Sequence, residues 1–150
     1  MGSGEYARDA AGDVEQHAQR SVLVQVRASA TDLPPLRVVA ADLAARADFD
    51  LDAVADLRLA VDEAASELVA VAAPDAVLTC VFSLNPAQME VTSSVPAKPG
   101  ATLRRDSFGW RVLTTLVDEV TVVDEPGADP PLVGISLCKR RSVNALAEGR

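Results

Sequence analysis

The run LRLAVDEAASE at residues 57–67 sets an acidic Asp62-Glu63 pair on what should otherwise be an apolar, core-facing helix, with Glu67 one turn beyond Glu63, and function is expected there. Closely set carboxylates are what proton transfer and the binding of hard cations use. In and around this run, the residues Val54, Leu57, Val61, Ala64 and Leu68 recur at three- and four-residue spacing and mark one apolar face of a helix. Asp56, Asp62, Glu63, Ser66 and Glu67 must then share the rest of its surface. Like charges four residues apart destabilise a helix by about 0.2–0.5 kcal/mol, so the pairing carries a cost. The same pattern also fits a solvated acidic face, and the residues alone leave both readings open.

The elements that must position this helix can be followed along the chain. Residues 1–20 are small, polar and charged without apolar period and read as an arm; Tyr6 and His17, the sole tyrosine and histidine, lie in it. A single histidine in such an arm excludes His-based nucleophile activation and most zinc chemistry. Residues 21–27 alternate as a strand. Ala30, Thr31 and Asp32 offer caps to a helix over 33–47 that begins with proline. Asp50 or Asp52 caps the second helix, which Pro74 closes after about residue 72. Strands follow at 76–84 and 88–95 around the Asn85-Pro86 turn, then a loop over 96–106. Asp106 or Ser107 caps a third helix with Phe108, Val112, Leu113 and Leu116 on its apolar face. Strands at 120–123 and 133–137 complete the domain, and from Lys139 the chain reads as a polar tail. Helices grouped against a mostly antiparallel sheet make a two-layer α/β sandwich.

Composition narrows the partners. With 150 residues, 49% of them hydrophobic, the chain can build one domain around a core of Val, Leu and Ala. A net charge of −8, with only a short basic cluster at Lys139, Arg140 and Arg141, argues against nucleic acid and for proteins or small molecules. No apolar stretch is long enough to span a bilayer and the N-terminal run lacks a signal-peptide core, so a cytoplasmic location with no membrane contact is expected. Cys80 and Cys138 sit in apolar runs and are expected as buried thiols of the core; a redox pair would require their strands to be neighbours.

VDEAASE at 61–67 and SFGWRVLTTLVDEVTVV at 107–123 together resemble the anti-sigma-factor serine kinases of the RsbW and SpoIIAB type, in the ATPase superfamily that includes Hsp90 and histidine kinases. The likeness spans about residues 21–138, and residues 49–63 with the junction at 113–123 are most similar to its actinobacterial branch. It implies a histidine kinase-like ATPase domain over 21–138, of Bergerat type with a mixed, mostly antiparallel sheet, between an arm at 1–20 and a tail at 139–150.

The resemblance also implies a site for ATP and magnesium. Glu63 matches the family's general base. Glu67 stands where an asparagine coordinates magnesium, and a carboxylate there can still bind the metal while adding charge beside the phosphates. Ser93, in VTSSVPAKPG at 91–100, lies near the expected adenine-reading Asp, without the glycine pair that should follow. Gly109 survives from the phosphate loop before the third helix, but Ser107 replaces another glycine and brings a β-carbon to a place of close approach. Losing two such contacts, at about 1.5–3 kcal/mol each, weakens binding by several hundredfold or more. No GxxxxGK[ST] run supplies another phosphate cradle, so ATP binding is expected to be weak or absent.

The function so implied is an anti-sigma factor, a homodimer that sequesters an alternative sigma factor and is countered by an anti-anti-sigma protein. The alternative is an active serine kinase that phosphorylates that competitor, with Glu63 as base and magnesium held partly by Glu67. A third reading, a small-molecule sensor in the vestigial cavity, rests on the fold alone. Trp110 fits packing or ligand stacking, Arg104 and Arg105 an anion contact or a solvated pair, and Asp118-Glu119 a partner contact at a helix end where the dipole disfavours anions.

Overall fold

The structure is a computed structural model and describes residues 20–125 and 127–142. The expected arm with Tyr6 and His17, and the end of the expected tail from residue 143, lie outside the described residues. The element order is β1 (Arg20–Arg27), a 3-10 turn (Ala30–Asp32), α1 (Pro34–Arg46), α2 (Leu51–Val71), β2 (Val77–Leu84), β3 (Gln88–Pro96), α3 (Phe108–Leu116), β4 (Glu119–Glu125) and β5 (Leu132–Arg140). The five strands form one sheet in the order β1-β2-β3-β5-β4, antiparallel at each pairing. Helices cover one face, so the two-layer sandwich expected from the sequence is present.

Period-two alternation sends Leu78, Cys80, Phe82 and Leu84 of β2, and Met89, Val91, Ser93 and Val95 of β3, toward the helices. There they meet Leu57, Ala60, Val61, Ala64, Ala65 and Leu68 of α2. The many alanines on α2 let its backbone lie close both to the sheet and to Leu36, Ala40 and Ala44 of α1. Asp50 caps α2 by accepting from the Ala53 N–H at 2.8 Å, and Ser107 caps α3 by accepting from the Trp110 N–H at 3.1 Å. At α1 no side chain caps the helix: Ala30, Thr31 and Asp32 instead form the 3-10 turn. Pro34 and Pro35 open α1 without N–H groups, so fewer orphan donors remain for a cap to satisfy.

Two other expectations change with the register. β5 runs on through Lys139 and Arg140, into the segment read as a tail. Phe108 is 82% exposed, because the inward line of α3 is Gly109, Leu113 and then Val117, and Phe108 sits about 100° away from it.

Candidate functional site

α3 lies along α2 in the opposite direction, and both ends of the contact are made by charged groups of α2. At the first turn of α3, Gly109 is buried against the Glu63 and Glu67 carboxylates: a β-carbon at Gly109 would overlap the Glu67 oxygen and come within 2.5 Å of Glu63 Oε2. At the last turn, Lys139 of β5 donates to the Leu116 carbonyl at 2.8 Å and pairs with Asp56 of α2 at 3.3 Å. A cation on a helix C-terminus and anions at its N-terminus both match the helix dipole. Lys139 is only 17% exposed and so is a structural clamp. Its role was missed because the basic run at 139–141 reads as a solvated end; the signal available was its position one residue past the apolar strand ISLC.

Burial, then the Glu67 charge and a hydrogen bond with Glu67, then the Asp62 charge raise the Glu63 carboxyl above its ordinary range. Crowding by a second carboxylate and loss of water both disfavour the charged form of Glu63. Asp62 itself faces Arg37 of α1 at 3.6 Å. Among the described residues no group of three or more His, Cys, Asp or Glu is arranged to hold a metal.

The remaining predicted site residues do not converge on this pair. Ser93 is 1% exposed, and its hydroxyl donates to Cys80 Sγ at 3.4 Å, so it points into the core. The Ser107 hydroxyl accepts from the Trp110 N–H and thereby occupies one of the amides that a helix N-terminus offers to anions. Trp110 is half-buried against the core, which is the packing role. Arg104 is held by Asp106 in the exposed loop, with Nε and Nη2 donating at 3.1 and 3.2 Å, and Arg105 is exposed beside it. Asp118 and Glu119 are spent internally: Asp118 Oδ2 accepts from the Arg140 N–H at 2.7 Å and Glu119 pairs with the Arg140 guanidinium.

A family model described as the histidine kinase-like ATPase domain matches residues 26–129. The anti-sigma-F factor RsbW of Mycobacterium tuberculosis, in strains CDC 1551 / Oshkosh and ATCC 25618 / H37Rv alike, is 35% identical over 133 residues, 87% of this chain and 79% of the relative. The chain belongs to the RsbW-type family of histidine kinase-like ATPase domains. The fold agrees: the crystal structure of the RsbU and RsbW domains of Rv1364c from Mycobacterium tuberculosis superposes with a TM-score of 0.58 at 17% identity, over 81% of this chain. That solved chain is longer, and this one spans 32% of it. Within this RsbW-type domain the two thiols cannot pair. Cys80 faces the helices, whereas Cys138, opposite Glu90 and Glu119, lies on the other face of the sheet with β3 between their strands. The expectation that both thiols pack in the core therefore holds for Cys80 only; Cys138 is buried outside the core cluster. Burial pushes the Cys80 thiol up to about 11 against the opposing Ser93 hydrogen bond. Burial and then the Glu119 charge raise Cys138, while Lys139 turns to the opposite face and leaves it unactivated. No helix among the described residues is long and apolar enough to cross a membrane.

Proposed function

We propose that this RsbW-type chain is an anti-sigma factor that works by binding, holding an alternative sigma factor as a homodimer until an anti-anti-sigma protein competes for it. The reading draws on the relationship to the anti-sigma-F factor RsbW over most of the chain. The observation that favours binding over turnover is the seat of α3 on Glu63 and Glu67. The N-terminus of α3, where the family would lodge phosphate, faces the chain's own Glu67 carboxylate and is capped by its own Ser107 hydroxyl. A polyphosphate entering there would meet two glutamates, while two nearby arginines are already engaged, Arg37 with Asp62 and Arg104 with Asp106. Ser93, turned to Cys80, offers adenine no carboxylate. In this arrangement the residues do not fit a magnesium nucleotide, and no catalytic step is drawn through one. Sequestration needs only a protein interface of standard size, about 1,600 Å² in total, and can persist without the nucleotide.

The test is transcription in vitro with each alternative sigma factor of the host, with and without ATP. Nucleotide-independent inhibition of one sigma factor, relieved by an anti-anti-sigma protein, is the expected result. Inhibition of none overturns the anti-sigma reading. Loss of inhibition on ATP addition, with phosphate appearing on a serine of the anti-anti-sigma protein, replaces binding by the kinase reading and gives Glu63 its role as base.

A further inference from the structure

At the other end of the sheet, three arginines far apart in sequence converge. The register sets Arg20 of β1 opposite Leu84 of β2, next to the Asn85–Ala87 turn, and the Arg141 N–H donates to the Ala87 carbonyl at 2.8 Å, which brings the end of β5 to the same turn. α1 ends above them. Its last residues wrap through N–H bonds from Ala47 to the Leu43 carbonyl and from Phe49 to the Ala44 carbonyl, and Asp48 takes the left-handed conformation, φ 63°, that such helix ends favour.

Between these elements is a cavity of about 490 Å³ with Arg20, Arg46 and Arg141 around it and Val22, Leu43 and Leu84 among its apolar walls. That volume is in the range of small-molecule sites. Among the described residues one acid, Asp48, also lines it, and these residues leave a surplus of positive charge around it in a chain whose net charge is −8. Arg46 is partly engaged, with Nε donating to Asp42 at 2.8 Å. Arg141 is different. Its Nε is shielded from solvent and has no hydrogen-bond partner among the described residues. A buried cationic donor left without an acceptor is costly, and a bound oxyanion is the group that would satisfy it.

We propose that this cavity is a binding site for a small phosphate monoester carrying an apolar body, the phosphate held by Arg141 and Arg20 and the body seated on Val22, Leu43 and Leu84. Guanidinium groups match the oxygens of phosphate through parallel N–H donors, and the apolar walls distinguish such a ligand from free phosphate. The site is separate from the Glu63–Glu67 pair, and the proposal stands whether or not the chain is an anti-sigma factor.

The probe is phenyl phosphate, titrated into the full chain by calorimetry and followed by backbone amide NMR, beside inorganic phosphate, phenylacetate and benzyl alcohol. Phenyl phosphate is expected to saturate with a Kd below about 1 mM. Inorganic phosphate should bind at least tenfold more weakly, benzyl alcohol not measurably, and shifts should centre on residues 84–88 and 43–48. Arg141→Met should weaken phenyl phosphate at least tenfold while Glu67→Gln leaves it unchanged. Should Arg141→Met fail to fold, Arg20→Gln, on an exposed residue, carries the same expectation at a severalfold loss. No saturation by 10 mM, roughly the limit of a specific small-ligand contact, overturns the proposal. So does binding that the folded variants leave unaltered, and tighter binding of phenylacetate than of phenyl phosphate transfers the site to carboxylates and overturns its stated ligand.

Discussion

The two ends of the helix–sheet interface are built with opposite charge and opposite closure. At one end Glu63 and Glu67 crowd beneath the first turn of α3, which Gly109 lets approach to contact, with Asp62 adding its charge beside Glu63. At the other, Arg20, Arg46 and Arg141 surround an open cavity below the last turn of α1. The fold family is named for a nucleotide, yet in this chain the end where that ligand would sit gathers carboxylates and the opposite end gathers arginines. Family membership therefore fixes the scaffold, and local charge decides what each end can hold.

The contrast depends first on α3 staying seated, and Lys139 holds its far end. Lys139→Met leaves Asp56 unpaired in a part-buried position and the Leu116 carbonyl without its cation, and is expected to lower stability by about 2 kcal/mol. Urea denaturation measures the loss, and hydrogen exchange should speed up in α3 before it does in β2 and β3. An unchanged midpoint would mean that α3 is held by Leu113 and Trp110 packing alone.

A smaller effect tests the acidic end itself. Because the folded Glu63 binds its proton more tightly than in the unfolded chain, its contribution is fully present below the ordinary value of 4.5 and is lost as pH rises from there through the raised folded value. Glu67→Gln removes the Glu67 charge and leaves burial and Asp62. The variant is expected to be more stable than wild type at pH 7 by about 0.2–0.5 kcal/mol, with the gain shrinking toward pH 4. Thermal unfolding across that range checks it, and a loss of stability at pH 7 would mean that Glu67 makes a favourable contact with the start of α3 that outweighs the repulsion.

What the sequence disclosed follows from the range of the interactions involved. Periodicity and caps are local, so α2, β2, β3 and the caps at Asp50 and Ser107 were legible, and the motif around Glu63 carried the family. Features set by strand register were not. In β5, Leu137 and Cys138 are consecutive apolar residues, which hides which of them faces the helices, and only pairing with β3 and β4 puts Cys138 on the outer face. The same pairing ties the exposed Asp118 and Glu119 to Arg140 and makes a clamp of Lys139. Arg20, Arg46 and Arg141 meet only because three elements end at one turn, a juxtaposition that no local window contains.

Isothermal titration of magnesium–ATP into the Arg141→Met variant, whose arginine cavity is disabled, tests the central claim that the family's nucleotide end no longer accepts its ligand. Little or no heat up to millimolar nucleotide is the predicted result, whereas a micromolar Kd in that variant would mean that α3 lifts from Glu63 and Glu67 to admit phosphate and would contradict the account.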